Sequence, residues 1–411
     1  WDEFSRMPGK IANGDTGDTA ADSYHLYEQD IALMKNLGVN SYRFSISWSR
    51  ILPNGTGAIN QKGVDYYNRL IDALVVADIQ PVVTLYHWDL PLALQKRYNG
   101  MLSRSFIEDF VHFADVCFGL FNDRVRKWIT FNEPWTLAYG GYGNGVFAPG
   151  RCSKREICSQ GNSSTEPYIV GHNLLLAHSR AMELYNNEYK HKPYNFSSHS
   201  EVTHRVWLAS PGMIGITLNL DWAEPYTPRY LPDMQAATRH KDFQLGWFLD
   251  PVMFGTYPPS MVDSVGDRLP IFTEEEKMRL LSNPIDFLGL NHYSTKYYMG
   301  VDSVDVYSAN VTYYGNFTSQ LDAYAYGGWA ADQRSLETKY SPSGMLIGAQ
   351  AASDWLNNVP WGFYNTIMYV HSKYGVSSHA GGLLIYITEN GCDAPHEDTI
   401  PVPDVLNDTF R

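Results

Sequence analysis

The chain has 411 residues, 44% of them hydrophobic and 18% charged, and 31 Lys+Arg against 44 Asp+Glu leave a net charge of −13. Such a composition can bury a large core and excludes general disorder, while the negative balance, with no basic patch to offset it, excludes nucleic acid and anionic membranes as partners. No apolar run reaches about 18 residues, so no transmembrane helix is expected.

In chain order, Tyr24 to Leu37 reads as a helix stopped by Gly38, and Tyr42 to Trp48 as a strand. Asp65 to Ala77 is an amphipathic helix, Pro81 to Trp88 a strand, and Ser103 to Phe121 a helix with apolar residues at three-to-four spacing. Cys117 lies on the apolar face of that helix and reads as a buried thiol. Lys127 to Glu133 is a third strand, and Thr165-Glu166-Pro167 opens another helix. Strands follow at Ile214 to Trp222, Asp286 to Tyr293 and Leu384 to Glu389, with helices at Asp233 to Leu249 and Trp361 to Tyr374. Tyr194 to Ser210 and Asp302 to Tyr340 read as long loops. Six visible β-α units argue a parallel sheet wrapped by helices in a single domain spanning 1–411, with no interdomain linker.

Cys152 and Cys158, six residues apart in a polar loop, can close a small disulfide ring in an oxidising compartment. Cys392 has no assigned role. Asn-X-Ser/Thr sequons stand at Asn54, Asn162, Asn195, Asn310, Asn316 and Asn407. Disulfide and sequons together predict a secretory route, extracellular or vacuolar. The chain opens on Trp1-Asp2-Glu3-Phe4 without an apolar leader, so any targeting peptide is expected to be missing or removed. His191, His199 and His204 fit no ligand spacing; neither metal nor cofactor is expected.

Two carboxylate motifs carry the chemistry: Thr130-Phe131-Asn132-Glu133-Pro134 and Ile387-Thr388-Glu389-Asn390-Gly391, each at the exit of a predicted strand. Parallel-sheet enzymes place reacting groups there, because the strand fixes the side chain while the following loop opens a pocket. An unpaired buried carboxylate is costly, which favours functional over structural use of both. The 29 Tyr, 18 Phe and 11 Trp suggest carbohydrate, whose ring faces suit aromatic surfaces; the alternative is aromatic core packing.

Read together, Tyr42-Arg43-Phe44-Ser45-Ile46-Ser47-Trp48, Thr84-Leu85-Tyr86-His87-Trp88-Asp89-Leu90-Pro91, the Glu133 motif, Gly289-Leu290-Asn291-His292-Tyr293 and the Glu389 motif resemble glycoside hydrolase family 1, plant β-glucosidase type, in family order. Ala148 to Cys152 and Gly246 to Pro251 extend the likeness across nearly the whole chain. The resemblance implies an α/β fold, the (β/α)8 TIM barrel, and a retaining β-glucosidase that cleaves O-linked β-glucosides or short oligosaccharides by double displacement. It implies Glu133 as acid/base and Glu389 as nucleophile, roughly 5 Å apart. Glu rather than Gln at 133 sets the chain apart from thioglucoside-cleaving relatives. Arg43 and Tyr293 are expected to keep Glu389 ionised and oriented, Asn132 to face the 2-hydroxyl, and His87 to bind a sugar hydroxyl. Trp135 is expected in the aglycone wall, and Asn291 as support.

Family members also carry a first strand with a sugar-binding Gln, ahead of the segment matching Trp1 to Arg6. They carry a last strand with Trp-Ser and Glu-Trp pairs beyond Asp408 to Arg411. The expectation is a barrel lacking its first and eighth strands, incomplete at both ends. The alternative readings are a catalytically impaired chain, a carbohydrate-binding pseudoenzyme, or a transglycosidase using the same glutamates. Oligomeric state is not legible.

Overall fold

In the computed structural model the residues described are 1–192, 206–301, 320, 327–375, 382–397, 399–401 and 404–408. Among them, the strands are β1 (Ser41–Ser45), β2 (Gln80–Tyr86), β3 (Lys127–Asn132), β4 (Met213–Asn219), β5 (Trp222–Pro225), β6 (Phe287–Asn291), β7 (Thr295–Gly300), β8 (Ser335–Thr338), β9 (Ala349–Gln350), β10 (Asn357–Asn358) and β11 (Ile385–Glu389). The principal sheet has the order β1-β2-β3-β4-β6-β11. Its strands are the six apolar runs of the sequence, and helices occupy the intervals. By compactness the chain divides into two units: Trp1–Asn162 with Glu166–Thr217 and Pro270–Gly289, and Ser163–Thr165 with Leu218–Leu269 and Leu290–Arg411.

The first unit holds β1, β2, β3 and β4 as far as Thr217. Ser41 lies opposite Gln80, Val82 opposite Lys127 and Lys127 opposite Met213, all in parallel, with a register shift between Ile129 and Asn132. Helix Ser23–Leu37 ends as expected at Gly38, whose φ of 75° permits bonds back to Lys35 and Met34. Helix Gln61–Val76 buries Val64, Tyr67, Leu70, Ile71, Leu74 and Val75, the face its periodicity predicts. Helix Ser105–Phe121 buries Phe106, Phe110, Phe113 and Cys117. Phe110 stacks on Phe131 of β3 at 4.3 Å, and Phe113 on Trp48 at 4.8 Å. Much of the aromatic surplus is therefore core, as the packing alternative holds: Trp48, Trp128 and Trp247 are fully buried.

Helix Glu166–Glu188 carries two buried histidines. His178 shares a 2.8 Å hydrogen bond with the Thr130 hydroxyl, and burial pushes its pKa down to about 3. His172 packs against Phe272 and is pushed down to about 4, chiefly by burial; Glu276 opposes the shift and Arg104 adds to it. Both groups bind a proton more weakly folded than unfolded, where histidine titrates near 6.5. The stability they confer is complete above pH 6.5 and is lost as pH falls toward 4 and below. For His178 the loss by pH 4 is roughly 3 kcal/mol. Thermal melts from pH 7 to 4 should show a shallower decline for His178→Asn than for the wild type; identical slopes would remove His178 from the account.

The second unit contains a sheet ordered β5-β7-β8, with β5 parallel and β8 antiparallel to β7. Ala223, Ala236, Ala237 and Tyr298 form one of its apolar clusters. Glu337 accepts from Lys296 and, at 2.8 Å, from the Tyr298 hydroxyl; His240 meets Tyr298 and Gln333. Pairing of this kind offsets the cost of half-burying a Glu and a Lys.

Four expectations change. The strand at Tyr42 to Trp48 ends at Ser45, because Trp48–Ile51 winds into a helical turn that buries Trp48 and Ile51. The run from Ile214 to Trp222 is two strands, since Trp222 begins β5 in the other sheet. The helix at Asp233 to Leu249 is Leu231–Lys241, a π turn at Asp242–Gly246 and Trp247–Phe254. Apolar periodicity does not distinguish the one extra residue of a π turn. The stretch read as a loop from Asp302 to Tyr340 contains helix Trp329–Asp332 and β8, whose backbone donors pair with β7. Residues 302–319 and 321–326 lie outside the described residues, as do 194–205 of the other predicted loop, with His199 and His204. Among the described residues no His, Cys, Asp or Glu cluster has metal-binding form, and no helix is long and apolar enough to cross a membrane.

Candidate active site

The exits of β1, β2 and β3 bring one cluster together within the first unit. Arg43 on β1 donates through Nη2 to Asn132 Oδ1 at 2.5 Å and through Nε to Thr84 Oγ1 at 3.2 Å. Asn132 ends β3, is fully buried, and its Nδ2 stands 3.2 Å from His87 Nε2 beyond the end of β2. With the amide oxygen committed to the guanidinium, the amide nitrogen and the imidazole face one another. Arg43, Thr84 and His87 line a cavity of about 340 Å3.

Glu133 follows immediately, where β3 stops and Pro134 starts helix Pro134–Tyr142. Pro is favoured there because its missing N–H is one the helix cannot use. Glu133 has φ 43° and ψ 65°, left-handed backbone that a side chain with a Cβ adopts at a cost of about 1–2 kcal/mol. Its N–H donates to Thr217 O of β4 at 2.9 Å, and its Oε2 accepts from the Thr136 hydroxyl at 2.7 Å. The residue is 6% exposed. Trp135 stacks on Tyr139, one helical turn on, at 5.6 Å.

The second unit holds the other carboxylate. Glu389 is the last residue of β11 and is half-buried. The Tyr293 hydroxyl donates to Glu389 Oε2 at 2.8 Å, and the His292 N–H to the Glu389 carbonyl at 3.1 Å. Asn390 Nδ2 donates to His292 O at 2.7 Å. Asn291, at the end of β6, accepts from the Thr388 hydroxyl at 2.6 Å. His292 stacks on Phe363 at 5.1 Å and is held below its ordinary pKa by burial. Tyr293, Asn390, Gly391 and Cys392 line a cavity of about 290 Å3.

Cys152 and Cys158 form a disulfide with Cα atoms 5.5 Å apart, both cysteines buried. Asn54, Asn162 and Asn407 are exposed; Asn195, Asn310 and Asn316 lie outside the described residues. Three further residues stand near the carboxylates, outside the set that the motifs predict. Trp88, inside the quoted Thr84 to Pro91 motif, donates its indole N–H to Asn132 O at 2.8 Å. Thr136 sits three residues after Glu133, the spacing at which helical side chains meet, so its contact was legible. Trp355, set edge-on to Tyr293 at 6.0 Å, had no sequence signal.

A family model described as glycosyl hydrolase family 1 matches residues 1–411. Beta-glucosidase 25 of Oryza sativa subsp. japonica is 44% identical over 413 residues, spanning all of this chain and 74% of the relative. Beta-glucosidase 40 of Arabidopsis thaliana is 44% identical over 414 residues, spanning 100% of this chain and 73% of its own length. A crystal structure of a rice β-glucosidase superposes with a TM-score of 0.86 at 41% identity, covering 100% of this chain and 78% of that one. A family 1 β-glucosidase from the fungus Humicola insolens, solved with glucose, gives 0.85 at 40% identity with 100% and 77% coverage. Sequence motifs, strand order and these likenesses converge on one assignment: the chain belongs to glycosyl hydrolase family 1 and is a glycoside hydrolase.

Proposed function

We propose that this protein is a retaining β-glucosidase acting on O-linked β-glucosides, with Glu389 as nucleophile and Glu133 as acid/base. The observation that carries the reading is Glu389 at the exit of β11 with the Tyr293 hydroxyl on its Oε2 at 2.8 Å. A phenol donor on one oxygen fixes the orientation of the carboxylate for attack on the anomeric carbon. Attack breaks the glycosidic bond as Glu133 passes its proton to the leaving oxygen, giving a glucosyl ester on Glu389 and the free aglycone. Glu133, now ionised, takes a proton from water; the water oxygen attacks the anomeric carbon, releases Glu389 and yields glucose of retained configuration. The Thr136 hydroxyl on Oε2 fixes the orientation of the Glu133 carboxyl throughout. Arg43 holds Asn132, whose amide and the His87 imidazole supply polar groups for sugar hydroxyls. Trp135 contributes a flat face for the aglycone.

The β-glucosidase names of the relatives support the sugar, and the order β1-β2-β3-β4-β6-β11 supports reading these strands as the second to seventh of one eight-stranded β/α barrel. The buried disulfide and the exposed Asn54, Asn162 and Asn407 support a secretory location, with glycans at some of these sites.

Purified protein should hydrolyse an aryl β-glucoside, and proton NMR should detect β-glucose as the first-formed anomer. α-Glucose as the first product, or no turnover by a folded sample that still binds glucose, would sink the reading; the latter result would select the pseudoenzyme. Secretion from a eukaryotic host and N-glycosidase treatment of the same preparation should raise its mobility. Unchanged mobility would remove the glycans.

A further inference from the structure

We propose that Trp88 is a positioning residue for Glu133, acting through the peptide that joins Asn132 to Glu133; the proposal rests on the reading of Glu133 as acid/base. That peptide is held at both ends. Its carbonyl accepts the Trp88 indole N–H at 2.8 Å, and its N–H donates to Thr217 O at 2.9 Å. The plane so fixed is the one about which Glu133 rotates, and Glu133 stands at φ 43°. Left-handed backbone at a glutamate persists only where its surroundings over-determine it. Freed from the indole, the peptide can turn and let Glu133 relax toward the right-handed region, which swings its carboxyl away from the Thr136 hydroxyl.

Trp88 is itself built into place. Its φ is 76°, a conformation uncommon for a bulky aromatic, and its ring stacks on Phe147 at 5.4 Å and meets His87 at 5.2 Å. Phe147 belongs to the loop that follows the helix Pro134–Tyr142, where its carbonyl accepts from Gly150 N–H at 2.8 Å, and its own N–H donates back to Gly140 O on that helix. A Cβ at Gly140 would stand 2.5 Å from the Phe147 ring, so this glycine lets the ring lie against the helix. Indole, loop and helix thus converge on one peptide, an arrangement that ordinary packing of a tryptophan does not require.

Trp88→Phe keeps the aromatic face and deletes the N–H. For an alkyl β-glucoside, whose departure needs a proton, kcat should fall roughly tenfold while KM stays within about twofold. The glycosylation rate on 2,4-dinitrophenyl β-glucoside, whose departure needs none, should be unchanged, and the alkaline limb of the kcat/KM profile for the alkyl substrate should move. Phe147→Leu, which keeps the indole and loosens its support, should show a smaller loss with the same dependence on leaving group. Equal losses on both substrates, or none, in either variant would overturn the proposal. Wild-type protein that turns over neither substrate would instead overturn the reading of Glu133.

Discussion

Replacing Glu389 with Gly should lower kcat on an aryl β-glucoside by on the order of 10^4-fold or more, the scale at which removing a covalent nucleophile is felt. The side chain lost is the one held by the Tyr293 hydroxyl at 2.8 Å, whereas the main-chain bond from His292 to the Glu389 carbonyl survives the change. The fold around the strand exit should therefore persist, and a thermal melt checks it. Added azide or formate can then attack from the face that the carboxylate occupied. Because that is a single displacement, the azide adduct should be the α-glucosyl product, identifiable by its anomeric coupling in NMR. Undiminished activity in Glu389→Gly would show that the nucleophile is another residue, and a β-configured adduct would show that attack comes from the opposite face.

Glu133→Gln should separate substrates by leaving group. Gln preserves the shape of the side chain and a contact with Thr136, so the left-handed backbone and the bond from Glu133 N–H to Thr217 O have no reason to change. It cannot deliver a proton. For alkyl glucosides kcat/KM should drop by about 10^2 to 10^4, the usual contribution of a general acid. With 2,4-dinitrophenyl β-glucoside the first step should remain fast and the second should stall for want of a base, so a burst of phenolate precedes slow turnover. Azide, which needs no base, should restore that turnover and give β-glucosyl azide. A loss of equal size on both substrates, without rescue, would remove Glu133 from the acid/base role.

The elements that were legible are those whose signal is local. Gly38 ends its helix where the periodicity stops, Cys117 lies on the apolar face of Ser105–Phe121, and Cys152 pairs with Cys158 six residues away. Trp48 shows where this kind of reading fails. In the sequence it prolongs an aromatic and β-branched run; in the fold, burial against Phe113 draws it into a helical turn instead. β8 fails for a different reason. A four-residue strand in a Ser-, Gly- and Tyr-rich stretch has no alternation of its own and exists because β7 supplies its hydrogen-bond partners.

The sequence by itself determined the family, the parallel α/β class and the placement of both carboxylate motifs at strand exits, because motif identity and apolar periodicity are written within windows of ten or so residues. Only the tertiary structure decided how those groups are held: the left-handed backbone of Glu133, the indole of Trp88 on a carbonyl 44 residues away, and the Tyr293 hydroxyl on a carboxylate 96 residues away. Parallel strands meet through long crossovers, so which side chains share a layer depends on register between distant segments, and no spacing along the chain encodes it.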